Sequence, residues 1–318
     1  MAAPRDKTIL ITGAAGFAGS HLLDRLSNDG ATIVGWYRPD APAPARAGVQ
    51  WRGVELTDRD SVSAAIADVK PAQIYHLAGA PSVETSWTNA VPHLQINALG
   101  THYLLEAVRL AGAPCRVLVV TSAQVYETRE QALDEESRLQ PSTPYGLTKL
   151  AQDELARRAA ADGLDVVIAR PFNHIGPRQT AGFAIASFAR QIARIEAGLD
   201  APLMRVGNLE PRRDLSDVRD VVDAYVRLMA SGATGRAYNV CSGIAHRMGD
   251  VLDALLGLAT VSVERATDLA RLRPNDVPIV VGDATRMRSE IGWSPHIPID
   301  TTLRDTLEWW RAEVRANR

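Results

Sequence analysis

Thr8-Ile9-Leu10-Ile11 runs directly into Thr12-Gly13-Ala14-Ala15-Gly16-Phe17-Ala18-Gly19, and an apolar-periodic segment follows from Phe17 to Leu26. That order predicts strand, tight turn and helix, the phosphate-binding start of a dinucleotide fold. Glycine serves three purposes in such a turn. One takes a backbone conformation closed to a Cβ, one lets a pyrophosphate touch backbone, and one lets helix pack on strand. Alone, the motif is a weak signal that a Gly-rich turn with no ligand could also give, so the rest of the chain has to decide.

The rest has the rhythm of an α/β protein. Strand-like runs at 8–12, 32–37, 50–54, 73–77, 117–121 and 166–170 alternate with helical patterns at 17–28, 61–69, 92–111 and 145–161. This predicts a Rossmann-type, doubly wound parallel sheet. Residues 39–48, rich in proline, glycine and alanine, read as a surface loop. Past Pro171 the alternation stops. Two loops of special residues, 173–179 and 207–214, precede helical patterns at 183–197 and 218–229; a strand at 237–241 could return to the sheet. Helices at 248–258 and 303–314 flank a loop at 271–278. The expected division is a Rossmann domain over 1–173 and a smaller C-terminal substrate-binding lobe over 174–318, with about 215–243 returning to the first domain. The two close a cleft over the carboxyl ends of the strands, where ligands of open α/β sheets bind.

Composition narrows the class. A chain of 318 residues with net charge −2 gives no reason to expect a nucleic-acid or membrane-surface partner. No apolar run approaches the roughly 18 residues of a membrane span, and the first seven residues do not fit a signal peptide. Cys115 and Cys241 make no disulfide framework, and no metal site is expected. A reduced, cytoplasmic enzyme is the expectation.

The end of the second strand bears on the cofactor. A carboxylate there would bond a ribose 2′-hydroxyl and favour NAD. The chain has Trp36-Tyr37-Arg38 instead, and Arg38 can face a 2′-phosphate through a charge-assisted pair. That favours NADP(H), although Arg38 could equally be a solvated loop charge, and NAD(H) stays open. With Gly13, Gly16, Phe17, Ala18 and Gly19 of the turn, Glu55 and Leu56 after the third strand could line the adenine. Leu77-Ala78-Gly79 ends the fourth strand in small residues, and Pro171 ends the sixth. His76 itself reads best as a satisfied histidine at a strand end.

Tyr145 and Lys149, four apart, share one helix face. An ammonium near a phenol stabilises the phenolate and brings it toward the range of a working acid or base; the same lysine can reach a nicotinamide ribose. Seven tyrosines and three lysines in this chain give roughly 0.07 chance pairs at that spacing, so a surface pair is the weaker reading. Ser122 ends the fifth strand, where a hydroxyl can polarise a carbonyl. Ser122 and Tyr145 would hold a carbonyl oxygen while hydride reaches its carbon and Tyr145 gives the proton.

Taken together, Thr12–Gly19, His76–Gly79, Asn97 with Gly100-Thr101, Ser122, Tyr145–Lys149 and Arg170-Pro171-Phe172-Asn173 resemble the extended short-chain dehydrogenase/reductase family over essentially the whole chain. Asn173-His174-x-Gly176-Pro177, Gly207-Asn208-Leu209, Arg213-Asp214 and Arg273-Pro274-x-Asp276-Val277 are similar to its branch acting on GDP-mannose derivatives. The resemblance implies a GDP-sugar substrate. It places Asn173 and Arg213 on the pyrophosphate or sugar side, Asn208 and Leu209 near guanine, and Arg273 and Asp276 on the nucleotide, with Ser86 and Arg178 on the substrate side too. Within the branch, 4,6-dehydratases carry a glutamate two positions after the triad hydroxyl. Here that position is Gln124, which takes no proton at neutral pH. The implied activity is therefore NADPH-dependent reduction of the C4 ketone of GDP-4-keto-6-deoxy-D-mannose. The competing readings are a nucleotide-sugar dehydratase or epimerase holding NAD, and a dinucleotide-binding module without chemistry. Related enzymes pair the helices at 92–111 and 145–161 into a dimer, which makes a homodimer the expected assembly.

Overall fold

Alternation along the first strand shows how the molecule is layered. In β1 (Thr8–Thr12), Ile9 and Ile11 point to one face and Leu10 to the other, and all three are buried. A strand covered on both faces has to lie inside a parallel sheet with helices on either side. The computed structural model describes residues 7–27, 30–271 and 277–317. It places β1 between β2 (Thr32–Tyr37) and β4 (Gln73–His76), with β3 (Val49–Gly53) beyond β2; β5 (Arg116–Val120), β6 (Asp165–Pro171) and β10 (Ala237–Val240) follow β4 in that order. All seven strands are parallel, in registers such as Leu10↔Val34 and Leu10↔Ile74.

On one face, α1 (Phe17–Leu26) and α8 (Val218–Ser231) pack together and bury Leu22, Leu26, Val221, Tyr225 and Leu228 against Ile9, Ile11 and Leu118. On the other, α2 (Arg59–Val69), α5 (Gly100–Ala111) and α6 (Pro144–Ala161) bury Ile66, Leu104, Val108 and Ala156 against Leu10, Ile74 and Val119. Each fully buried leucine or isoleucine contributes about 1.5–3 kcal/mol. Strand order reverses at β1, so a crevice opens between the carboxyl ends of β1 and β4.

The expected helix over 92–111 is interrupted. The chain forms α3 (Val83–Thr88) and α4 (Ala90–Leu94), then a π-helical turn at Gln95–Leu99, before α5. The fully buried Asn97 accounts for the turn: its Oδ1 accepts the Ala80 amide at 2.8 Å and its Nδ2 donates to Thr148 Oγ1 at 2.9 Å. Those partners hold the turn wide, as such bulges do near functional sites. The closing helix, α10 (Ile299–Ala316), starts earlier than the apolar pattern suggests, because Thr302 is fully buried and donates to Asp217 at 2.7 Å.

The remaining elements build a smaller layer over one end of the sheet. β7 (Asn173–Ile175) and β11 (Ala245–Arg247) flank β9 (Arg212–Asp217), which also pairs with β13 (Ile279–Val280). β8 (Leu203–Val206) pairs with β12 (Glu264–Thr267). Their core joins α7 (Ala184–Glu196), α9 (Met248–Gly257) and α10 through Phe188, Ile192, Leu252, Leu255, Leu303 and Leu307. Among the described residues, no helix is long and apolar enough to cross a membrane and no cluster of potential metal ligands occurs.

Candidate active site

The crevice floor is the glycine turn. Gly13 has φ +69°, and a Cβ there would lie 2.8 Å from the Ala78 amide nitrogen, so the β1 turn and the end of β4 touch backbone to backbone. A Cβ on Gly19 would collide with the Gly13 carbonyl. The N-terminus of α1 at Gly16 has no side-chain cap and no acidic residue in its first turn, which leaves donors and the positive helix end for an anion. These features fit a dinucleotide diphosphate. Ala18 lies half-buried in that first helical turn, and Phe17 stacks parallel on His174, ring centroids 5.7 Å apart. Arg38 stands at the end of β2, its side chain 78% exposed and 3.8 Å from Asp40, a weak surface pair. Glu55 folds onto Thr57, accepting its amide at 2.9 Å and its hydroxyl at 2.6 Å, while Leu56 is buried beside Gly100.

Above this floor the catalytic candidates converge. Ser122 follows β5 and caps a short 3₁₀ turn, accepting the Gln124 amide at 3.1 Å. Thr143 caps α6 and Pro144 occupies its first turn, which places Tyr145 at the helix start. Burial pushes the Tyr145 phenol up to about 12, with the Ser122 hydroxyl working the other way. Lys149 is pulled down to about 7 by burial. Its ammonium donates to Val120 O at 3.0 Å and to Gln152 Oε1 at 2.7 Å. The lowering of the phenol by Lys149 that the four-residue spacing predicts is not found: desolvation of Tyr145 raises it, and only Ser122 opposes that rise. Nζ also lies 3.5 Å from where a Gly79 Cβ would stand, so the lysine reaches the cofactor floor. His76 is satisfied on both ring nitrogens, by Thr12 at 2.7 Å and Thr101 at 2.8 Å, and is held neutral: burial first, then the charge of Lys149, takes its pKa to about 3.

The residues expected on the substrate side are more scattered. Asn173 is exposed at the start of β7, opposite Leu215 of β9. Arg213, also on β9, donates to Val277 O at 2.7 Å. Asn208 is exposed and Leu209 half-buried in the loop after β8. Ser86 is fully buried, donating to Val83 O at 2.6 Å and accepting the Tyr145 amide at 3.1 Å, so it steadies the start of α6. Arg178, at φ +73°, is committed to α1 through Asp24 and His21 Nδ1. Pro171 is buried at the end of β6, in register with Val240. Arg273 and Asp276 lie outside the described residues. Gln124 is half-buried beside the site; the nearby Glu127 faces Arg138 at 3.6 Å.

Gln152, fully buried, was not among the sequence-derived candidates. Its position three residues after Lys149, on the same helix face, was the available signal.

A phosphate-binding crevice beside a Ser/Tyr/Lys set defines a nucleotide-dependent dehydrogenase/reductase class. The family profile described as GDP-mannose 4,6 dehydratase matches residues 10–306, and the chain belongs to this family within the extended short-chain dehydrogenases/reductases. It is 37% identical over 311 residues to GDP-6-deoxy-D-mannose reductase of Pseudomonas aeruginosa, spanning 96% of this chain and 98% of that protein. It is 30% identical to UDP-glucose 4-epimerase of Mycolicibacterium smegmatis, over 95% and 98% of the two chains. The solved structure of RMD from Pseudomonas aeruginosa complexed with NADPH superposes with a TM-score of 0.84 at 34% identity, covering 96% of this chain and 99% of that one.

Proposed function

We propose that the protein is an oxidoreductase that uses NADPH to reduce the C4 ketone of GDP-4-keto-6-deoxy-D-mannose, forming GDP-D-rhamnose. The observation that carries the reading is a complete Ser122/Tyr145/Lys149 set with an amide, Gln124, where elimination would need a carboxylate. The full-length similarity to a GDP-6-deoxy-D-mannose reductase supports it.

The glycine turn and uncapped α1 would hold the diphosphate, Gly79 and Lys149 the nicotinamide ribose, and Arg38 the 2′-phosphate. The bound nicotinamide supplies hydride. Ser122 and Tyr145 hold the ketone oxygen by hydrogen bonds that strengthen as it gains negative charge. The Tyr145 phenol stays protonated until it gives its proton to that oxygen, and Lys149 supplies positive charge as the phenolate forms. Asn173, Arg213, Asn208 and Leu209 would hold the GDP moiety across the cleft, as would Arg273 and Asp276, with the domain boundary near residue 173.

Incubation with the keto sugar should consume NADPH one for one. The 30% identity to a UDP-glucose 4-epimerase keeps a second reading in view: tightly held NAD that copurifies, with no net consumption in turnover. Arg38→Ala should weaken NADPH binding about tenfold and leave NADH unchanged, the lower end for an exposed charge-assisted contact.

We place the protein in the cytoplasm, which suits its free thiols Cys115 and Cys241. We also assign a homodimer. Val91, Leu94, Leu99 and Leu147 are exposed large apolar side chains on or beside the helices that related enzymes pair, and light scattering should give twice the chain mass.

A further inference from the structure

The catalytic lysine is held from behind by a buried polar chain. Lys149 Nζ donates to Gln152 Oε1 at 2.7 Å, and Gln152 Nε2 donates onward to Thr101 Oγ1 at 2.9 Å. The Thr101 hydroxyl gives its own proton to Asn97 O at 2.7 Å, so toward its other neighbours it can only accept. His76 Nε2, 2.8 Å from Thr101 Oγ1, must then carry the ring proton, and Nδ1 accepts from Thr12 Oγ1 at 2.7 Å. Thr12 Oγ1 in turn accepts the Ala78 amide at 3.2 Å. Every proton along this path has one orientation. The Gln152 amide is therefore held one way round. Reversed, it would set an NH₂ group against an ammonium and a carbonyl against an oxygen with no proton left to give. Thr12, His76, Thr101 and Gln152 are all at most 1% exposed, so no solvent competes for these bonds.

We infer that Gln152 is a positioning residue for the proposed hydride transfer: its carboxamide oxygen favours the protonated form of Lys149 and aims it, and the Thr12–His76–Thr101 chain from the cofactor turn fixes that oxygen in place.

The chemistry of an amide suits this position. A hydrocarbon would leave the buried ammonium only Val120 O as acceptor. A carboxylate would pair with it outright. Burial holds Lys149 near 7, within the working range, and a neutral acceptor adds a hydrogen bond there without adding a charge. The other titratable groups around it are accounted for. Tyr145 lies one turn back on α6, and His76 of β4 is neutral. Asp153, next along the helix, is engaged by Arg170 at 2.8 Å and Arg157 at 2.9 Å.

This inference rests on reading Lys149 as part of the catalytic set, but its test does not need turnover. The chain holds only three lysines, Lys7, Lys70 and Lys149, so protein labelled with ¹³C at lysine Cε gives three signals, and Lys149→Arg assigns the one of interest. Gln152→Met should lower the Lys149 titration midpoint by about one pH unit, a tenfold loss of proton affinity, and Gln152→Glu should raise it by a similar amount. A midpoint unmoved by both substitutions overturns the inference. Should Gln152→Met not fold, the isosteric Gln152→Glu carries the test alone, and a midpoint that fails to rise is decisive. In turnover, Gln152→Met should lower kcat at pH 8 about tenfold with KM for the keto sugar within about twofold, and Gln152→Glu should restore kcat there. A wild-type protein that leaves the keto sugar untouched would sink the proposed function, while the lysine titration would still decide the role of Gln152.

Discussion

The two walls of the cleft are built on opposite plans. On the cofactor side, backbone meets backbone: Gly13 abuts Ala78, Gly19 abuts Gly13, and buried groups from Thr12 to Gln152 satisfy one another with no freedom left. On the proposed substrate side, exposed side chains such as Asn173 and Asn208 stand on loops and short strands. A dinucleotide is the same molecule in every turnover and can be met by a rigid cradle; a sugar nucleotide is selected by side chains that can differ while the frame stays. Changes on the first wall should therefore damage chemistry and folding, and changes on the second should alter recognition alone.

The comparison breaks most severely at Tyr145, where the walls meet. Tyr145→Phe should lower kcat by about 10²–10⁴ with little change in NADPH affinity, measured by steady-state kinetics and fluorescence titration. A loss confined to KM would move Tyr145 to the recognition side.

The next largest effect is pH-dependent stability. His76 has a folded-state pKa of about 3, against roughly 6.5 unfolded. Between those values the unfolded chain binds the proton first, so the stability of the neutral ring is fully present above about pH 6.5 and lost as pH falls toward 3. Each pH unit within that window should cost up to about 1.4 kcal/mol from this one group. Urea unfolding at several pH values should show that slope in the wild type and a shallower one in His76→Asn.

Gly13→Ala is smaller still. A Cβ at φ +69° beside the Ala78 amide should cost about 1–3 kcal/mol of stability and weaken NADPH binding with it. Asn208→Ala should be the mildest: KM for the GDP-sugar rising about threefold, kcat and Tm unchanged. Were Asn208→Ala to cost more stability than Gly13→Ala, the contrast between the walls would be wrong.

The rigid wall was the legible one. The continuous apolar run of β1 and the glycine spacing announce the large sheet, because a doubly covered strand and a backbone-to-backbone approach leave few residue choices. Tyr145 with Lys149 was legible for the same reason. What escaped depends on contacts between distant segments. The π-helical turn follows from Asn97 meeting Ala80 and Thr148, and apolar periodicity carries no trace of that meeting. The short strands of the smaller layer, such as β7 and β13, are three and two residues long, too short for a period to register. Ser86 is expected on the substrate side, and its bond to the Tyr145 amide depends on where the fold brings α6.

The central claim is that hydride passes from the nicotinamide to C4 of the sugar and stays there. The direct measurement is turnover of GDP-4-keto-6-deoxy-D-mannose with NADPH deuterated at the transferable C4 position, each stereoisomer in turn, followed by NMR of the product. One isomer should place deuterium on C4 of the sugar, with one NADPH consumed per product. Product free of deuterium from both isomers, or turnover with no NADPH consumed, would contradict it.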